Sequence, residues 1–200
     1  TNKKVIIVGG TGLYFSALTD GLANIPKISD ETKIIGKKRL LKYGVQDLLK
    51  DLDRETIESI DINNQMRVIR AWEVFKETGK SLKKWQNKTG TPILPLIKCQ
   101  PLVINPNKND LDKKIRARFK EMIKMGALDE ARKNLDMWNQ GLIASKAIGA
   151  SELISYLKNE ITLDEAITTA SIATRQYAKR QRTWIKARMK QWSDVTELIN

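Results

Sequence analysis

The feature that most constrains the fold is a short β-branched run that ends in a glycine turn. Val5-Ile6-Ile7-Val8 contains no polar residue, which is typical of a buried strand in a parallel sheet. Gly9-Gly10-Thr11-Gly12 then leads into a predicted helix over residues 13–22. Since one strand cannot pair its own backbone groups, we expect its partners later in this chain or in sequence before Thr1. The start of the chain therefore predicts half of an α/β unit.

The rest of the chain is predicted to be mostly helical. Helices are expected over residues 30–43, 45–52, 54–59, 64–78 and 81–87, with Gly44 and Gly79 as stops. Strands are expected at 96–99 and 102–104. Further helices are expected over residues 110–125, ending or kinking at Gly126, and over 127–140, 150–158 and 162–190, the last opened by a capping box. The expected fold class is α/β, with a catalytic-core fragment at residues 1–27, a helical insertion domain at 28–95 and a return to the core at 96–200.

The charge of the chain predicts a polyanionic partner. Lysine and arginine total 36 against 23 acidic residues, which gives a formal net charge of +13. Binding to phosphates releases condensed counterions, so nucleic acid is the leading candidate. A basic surface without a ligand and an anionic membrane surface are the alternatives. No apolar run approaches the length of a membrane span, and no strongly amphipathic helix carries a bulky apolar face.

The scarcity of cysteine and the absence of histidine limit the chemistry that this chain can perform. Cys99 is the single cysteine, and the sequence has no histidine. These facts exclude an internal disulfide, histidine acid–base chemistry and nearly all zinc sites. A metal, if used, would be a hard ion such as Mg²⁺ held by oxygens and substrate phosphates. Cysteine usage is that of a cytoplasmic protein.

The glycine turn by itself is a weak signal for an anion site. Backbone N–H groups at a helix start attract anions, and glycine lets a ligand approach the backbone. The turn lacks the Lys-Ser/Thr ending of a P-loop and the spacing of a dinucleotide turn, so a purely structural turn fits the same residues. Thr11 places a hydroxyl at the mouth of the following helix.

Three basic segments could contact RNA or phosphate. Residues 174–192 carry a helical stripe of Arg and Lys with interleaved Tyr, Trp and Gln, which favours RNA contact over a solvated face with its aromatic residues in the core. Arg67 and Arg70 share a helix face, although acidic residues later on that helix could pair with them. Lys114 and Arg118 are spaced to clamp a diphosphate, although a solvated charge cluster fits the same pattern.

Taken together and in this order, five segments resemble the tRNA dimethylallyltransferase (IPP transferase) family. They span nearly the whole chain, and the last is the most specific. The segments are GGTGLY from Gly9, RVIRAWE from Arg67, IRARF from Ile115 with Met122 and Gly126, KAIG from Lys146, and TRQYAKRQRTW from Thr174.

The resemblance implies transfer of a dimethylallyl group from its diphosphate to N6 of the adenine 3′ of the tRNA anticodon. It assigns catalytic positions to Thr11, beside the target adenine, and to Arg118, on the diphosphate with Lys114. The implied tRNA contacts are Thr11, Lys33, Met66, Arg67, Val68, Ile69, Arg70, Lys146, Ala147, Ile148, Gly149, Arg175, Gln176, Lys179 and Arg180. Mg²⁺ is expected with the diphosphate. The implied partners are a tRNA anticodon stem-loop and dimethylallyl diphosphate, with no membrane and a monomeric state.

The chain departs from the family pattern in ways that bear on activity. The family's P-loop, its general-base Asp and a segment that reads the RNA are not found before Thr1, so the P-loop-type parallel sheet is expected to be incomplete. No metal ligand is expected within this chain, and the Mg²⁺ ligands are expected in that N-terminal part. Lys114 stands where the family has Arg, and Ala150 and Ser151 replace an aromatic and basic pair.

We therefore expect these 200 residues to be inactive alone. Three alternatives stay open: a non-catalytic RNA-binding remnant of the enzyme, a kinase-like phosphate-binding α/β enzyme, and a product that does not fold stably. The absence of a P-loop Lys argues against the second.

Overall fold

The computed structural model describes residues 5–198 and is predominantly helical. The chain divides into two compact units, one of residues 13–100 and one of residues 1–12 together with 101–200. The outer ends of the first and last predicted domains lie outside the described residues, and the predicted domain boundaries stay predictions. None of the helices in residues 5–198 combines the length and the hydrophobicity that a membrane span needs.

The unit of residues 13–100 consists of short helices, most of which pack around one core. The helices are α1 (Gly12–Thr19, whose first residue belongs to the other unit), α2 (Asp30–Tyr43), α3 (Val45–Leu49), α4 (Arg54–Ser59), α5 (Gln65–Thr78) and α6 (Leu82–Gln86). Helices α2 and α4 have the predicted bounds, and the others begin or end one to three residues inside theirs. The core is centred on Leu48, Val68, Ala71 and Trp72, where α2, α3 and α5 meet.

Side-chain caps explain why these helices begin where they do. The side chains of Ser29, Asp53, Asn64 and Ser81 each accept a hydrogen bond from a backbone N–H in the first turn of the helix that follows. Gly44 and Gly79 follow the last residues of α2 and α5, which confirms both predicted stops. Asn64 was predicted as the first residue of a helix and is instead the residue that caps α5.

Among its described residues, the second unit contains four α-helices, α7 (Lys108–Met122), α8 (Leu128–Lys133), α9 (Ala150–Leu157) and α10 (Leu163–Arg188). Helix α10 packs against both α7 and α9, and the shared core contains Phe119, Leu153, Ile167 and Ala170. The predicted capping box at Thr162 is confirmed, because its side chain and that of Glu165 exchange hydrogen bonds with the backbone. The break at Gly126 is also confirmed: this residue has φ 107° inside a π-helical segment.

Three helix predictions in this unit were wrong by two or more residues at an end, and α9 ends one residue before its predicted end. Helix α7 begins at Lys108 instead of residue 110, because the Asn107 side chain caps it by accepting a hydrogen bond from the backbone N–H of Asn109. The helix predicted over 127–140 stops at Lys133, where Asn134 leaves helical geometry. Helix α10 ends at Arg188 instead of Lys190.

The strand predictions were largely wrong. Residues 5–8 form no strand: each side chain is 50–89% exposed, because no neighbouring strand lies beside them among the described residues. Leu96–Lys98 is a short 3₁₀ helix that begins directly after Pro95. Leu102–Val103 is confirmed as a strand, β1, which pairs in parallel with β2 (Ser193–Asp194). The described residues thus form helices with one small parallel pair of strands, which is only a part of the expected α/β fold.

Candidate functional site

The glycine turn, Gly9–Gly12, lies directly against helix α10. The Gln181 side-chain amide donates a hydrogen bond from Nε2 to the Gly10 carbonyl oxygen at 2.9 Å. The Trp184 indole lies against Gly12. A Cβ atom at Gly10 would overlap the Gln181 amide, and one at Gly12 would overlap the indole. The close approach of the indole thus favours glycine at Gly12, whereas a Cβ at Gly10 would meet the end of the flexible Gln181 side chain. Thr11, between the two glycines, is left exposed.

The outer face of α10 is cationic. Arg175, Lys179, Arg180 and Lys186 are exposed, and of these only Arg175 has a carboxylate within 4.0 Å in the described structure, that of Asp112. The face therefore offers several cations that protein carboxylates do not neutralise, as a phosphate-binding surface requires.

Two aromatic side chains of α10 accompany these cations. The Arg180 guanidinium lies 5.6 Å from the centre of the Tyr177 ring, and the Arg188 guanidinium lies 5.8 Å from that of Trp184. Tyr177 is 41% exposed, so it is not the core residue that the structural alternative required. Trp184 is partly buried, against the glycine turn.

Helix α7 divides its charged residues between two roles. Arg116 contacts Asp164 at 3.3 Å and Thr168 at 3.5 Å, so its guanidinium ties α7 to α10. Lys114 and Arg118 are exposed, and in residues 5–198 neither has an ion-pair partner. The helix thus presents one lysine and one arginine, one turn apart, that are free to bind an anion.

The segment from Lys146 to Gly149 is attached to α7 through Phe119. Gly149 has φ 96°, and a Cβ there would overlap the Phe119 ring. Its backbone N–H donates to Glu152 Oε2 at 3.0 Å, which fixes the start of α9. Lys146, Ala147 and Ile148 are exposed. The structure therefore connects this predicted RNA-binding segment to the helix that carries Arg118.

The remaining predicted contacts lie in the unit of residues 13–100. On α5, Met66, Arg67 and Arg70 are exposed. Val68 and Ile69 are buried in the core, so their side chains are not available to a ligand. Arg70 Nη1 lies 3.9 Å from the Glu73 carboxylate.

Lys33 is partly neutralised by its own helix. Its Nζ lies 2.7 Å from Asp30 Oδ1, and this hydrogen bond and charge lower the pKa of the Asp30 carboxyl. The side chain is still 45% exposed.

Sequence reasoning missed the contacts of Gln181 and Trp184 with the glycine turn. Both lie in the segment TRQYAKRQRTW from Thr174. Nothing in the sequence indicates that Gln181 meets Gly10, 171 positions away, or that Trp184 meets Gly12. The part of the chain that the structure describes brings together no group of three His, Cys, Asp or Glu side chains. Mg²⁺ therefore stays a prediction.

A helix that holds a glycine turn and carries exposed cations has the charge of a phosphate-binding surface. The IPP transferase family model matches residues 1–188, and the chain belongs to this family.

Curated relatives agree with this family. Two tRNA dimethylallyltransferases of Cereibacter sphaeroides, from strains ATCC 17029 and ATCC 17025, are 49% and 50% identical over 192 residues. Each alignment covers 96% of this chain. The chain spans 61% and 66% of the length of these two relatives.

Solved structures also resemble the chain. The tRNA isopentenylpyrophosphate transferase of Bacillus halodurans is 31% identical with a TM-score of 0.53, and the match covers 92% of this chain and 57% of that one. A eukaryotic dimethylallyltransferase that acts on tRNA has a TM-score of 0.67 at 23% identity, over 88% of this chain and 46% of that one. The second match shows the shared fold alone.

Proposed function

We propose that these residues serve in the transfer of a dimethylallyl group from its diphosphate to N6 of the adenine 3′ of a tRNA anticodon. The observation that carries the proposal is the seating of the glycine turn on the cationic helix α10, in a chain of the IPP transferase family. The contact supports the proposal because Thr11 is exposed and lies between two glycines that meet α10, the helix that also carries the exposed cations. The partners we propose are therefore a tRNA anticodon stem-loop and dimethylallyl diphosphate.

The protein must support three events in this reaction. The bond between the allylic carbon and the diphosphate oxygen breaks, a bond from that carbon to N6 forms, and N6 loses a proton to a base. We assign Arg118, with Lys114, to the negative charge that grows on the departing diphosphate. We assign Thr11 to the adenine, which must leave the stacked anticodon loop before it can react.

Two parts of this chemistry are assigned to residues outside these 200. The sequence contains no Gly-x-x-x-x-Gly-Lys-Ser/Thr motif to cradle the diphosphate. The structure also assigns no base to the proton of N6. We therefore propose that these residues by themselves do not complete a turnover, and that any Mg²⁺ on the diphosphate is held elsewhere. The protein is proposed to act in the cytoplasm as a monomer.

A chimeric enzyme tests the proposal. Residues of this chain replace the 192 aligned residues of the Cereibacter sphaeroides ATCC 17029 relative, and transfer of labelled dimethylallyl groups to unmodified tRNA is measured. We expect turnover by the chimera and none by the 200-residue chain. Thr11→Val should lower kcat/KM about tenfold, the effect of one hydrogen bond, and Arg118→Gln about a hundredfold or more.

The control is a residue of the same helix with a structural partner. Arg116→Gln removes the contact with Asp164 and should lower stability slightly while leaving kcat/KM within about threefold. A folded chimera that binds tRNA without turnover would contradict the transfer function and favour the alternative, a non-catalytic RNA-binding protein. The unneutralised cations of α10 are the observation behind that alternative.

A further inference from the structure

We infer that Gln181 and Trp184 are positioning residues that hold the glycine turn, and with it Thr11, in a fixed place on α10. The catalytic consequence rests on the proposed function, whereas the contact itself does not. Gln181 and Trp184 lie three residues apart and therefore share one side of the helix. They meet Gly10 and Gly12, the residues on either side of Thr11.

The hydrogen bond from Gln181 is the directional part of this contact. Within residues 5–198, no other hydrogen bond joins the glycine turn to α10. Gly10 supplies a carbonyl oxygen, so the partner on α10 must be a donor. The glutamine amide satisfies this, and a carboxylate or a thioether of the same length would not.

The Trp184 ring supplies packing without a hydrogen bond. Its Nε1 atom is buried, and in the described part of the chain it has no acceptor. The ring instead lies against Gly12, with the Arg188 guanidinium over its face. An indole in this position fills the space beside the turn, and Gln181 fixes the turn along the helix.

The arrangement couples RNA binding to the position of Thr11. The same helix carries the exposed cations Lys179, Arg180 and Lys186. RNA that binds those cations is thereby placed relative to a hydroxyl whose own position is set by Gln181. Release of the turn should therefore impair the reaction of bound tRNA more than the binding of tRNA, since the cations remain in place.

The contact is tested on the 200-residue chain by 19F NMR. The five tryptophans are labelled as 5-fluorotryptophan, and Trp184→Phe identifies the Trp184 resonance. Gln181→Met and Gln181→Glu remove the donor at nearly constant size, so the Trp184 resonance should move towards its value in the unfolded chain. Gln181→Lys restores a donor and should return the resonance towards its original position. Gly10→Ala keeps the glutamine but adds a methyl group that would displace its amide from the Gly10 carbonyl oxygen, so this variant should act like Gln181→Met.

Thr183→Val is the matched control on the same helix. The Thr183 hydroxyl donates only within α10, to the Lys179 carbonyl oxygen at 3.0 Å, so its removal should leave the Trp184 resonance unchanged. An unmoved resonance in both Gln181→Met and Gly10→Ala overturns the inference. A shift of the Trp184 resonance in Thr183→Val as large as the shift in Gln181→Met also overturns the inference.

Activity of the chimera supplies the second readout. Gln181→Met should lower kcat about tenfold, with KM for tRNA within about threefold of the parent value, and Gln181→Lys should recover part of the loss. A kcat equal to that of the parent, or a change in KM alone, contradicts the positioning role. A parent chimera without turnover contradicts the proposed function, while the NMR result still decides whether Gln181 holds the turn.

Discussion

At the residue scale, Asp51 organises the polar edge of the core in the unit of residues 13–100. Its Oδ2 atom accepts hydrogen bonds from Trp72 Nε1 at 2.7 Å and from the Arg39 guanidinium at 2.6 Å. The guanidinium also lies 5.3 Å from the centre of the Trp72 ring. The bond from Trp72, followed by that from Arg39, lowers the pKa of the Asp51 carboxyl below its usual value. The ionised form is therefore the one that the folded state prefers.

This preference predicts an acid-dependent contribution to stability. Because the folded-state pKa lies below the unfolded one, the contribution is present above about pH 4 and is lost as the pH falls through the lower, folded-state pKa. Asp51→Asn should reduce the free energy of unfolding by about 1 kcal/mol at pH 7, a modest value because the Asp51 side chain is 38% exposed. The difference from the parent should shrink towards pH 3.

Urea unfolding at several pH values measures this difference, with Glu55→Gln as the control. Glu55 is exposed on α4 in the same unit, and its replacement should change stability by less than about 0.5 kcal/mol at pH 7. If Asp51→Asn reduced stability equally at pH 3 and pH 7, the loss would not come from the ionised carboxylate.

At the element scale, the start of α9 depends on one glycine that meets two requirements. Gly149 has φ 96°, and a side chain there would meet Phe119 of α7. Gly126, in the same unit, has φ 107° with open space around it. The two glycines therefore separate the cost of the left-handed backbone from the cost of the close approach.

Gly149→Ala should destabilise the chain by about 2–4 kcal/mol, because the backbone strain adds to an overlap with a buried aromatic ring. Gly126→Ala should cost only about 1 kcal/mol, the backbone part alone. Thermal or urea unfolding of both variants checks this order. Equal losses would mean that the contact with Phe119 contributes nothing.

The same scale shows which elements the sequence could predict. Helices α2 and α4 were predicted at their true bounds because the signals that set them, a cap such as Asp53 and a stop such as Gly44, lie within a few residues of each end. The strand predicted at residues 5–8 does not form, because a strand needs a partner and the sequence does not say where that partner is. The strand predicted at residues 96–99 was wrong for a local reason. Pro95 directly before it favours a turn, and Leu96–Lys98 forms a 3₁₀ helix instead.

In the candidate site too, the sequence predicted local patterns but not contacts between distant residues. Spacing alone grouped Lys114 with Arg118 and found the stripe on α10, because both patterns are local. The contact of Gln181 with Gly10 joins residues 171 positions apart, and only the folded chain reveals it. The burial of Val68 and Ile69 inside a predicted RNA-binding segment was likewise invisible, because their neighbours come from α2 and α3.

At the scale of the whole molecule, the net charge of +13 and the face of α10 make separable contributions to RNA binding. Net charge attracts RNA from a distance and acts wherever it is placed. A cation that touches a phosphate also releases counterions, so it adds to the slope of binding against salt concentration. Lys179 is exposed on α10 without an ion-pair partner in residues 5–198, which makes it a candidate for direct contact.

Lys179→Gln should therefore weaken binding of an anticodon stem-loop and reduce the slope of log K against log salt by about 0.7–0.9. Arg132→Gln removes the same charge from α8, where the guanidinium lies 2.6 Å from Asp129, and should leave the slope unchanged. Fluorescence anisotropy with a labelled stem-loop, across a series of salt concentrations, compares the two. Because both variants have the same net charge, equal slopes would assign RNA binding to the overall charge, whereas a loss confined to Lys179→Gln places the phosphate on α10.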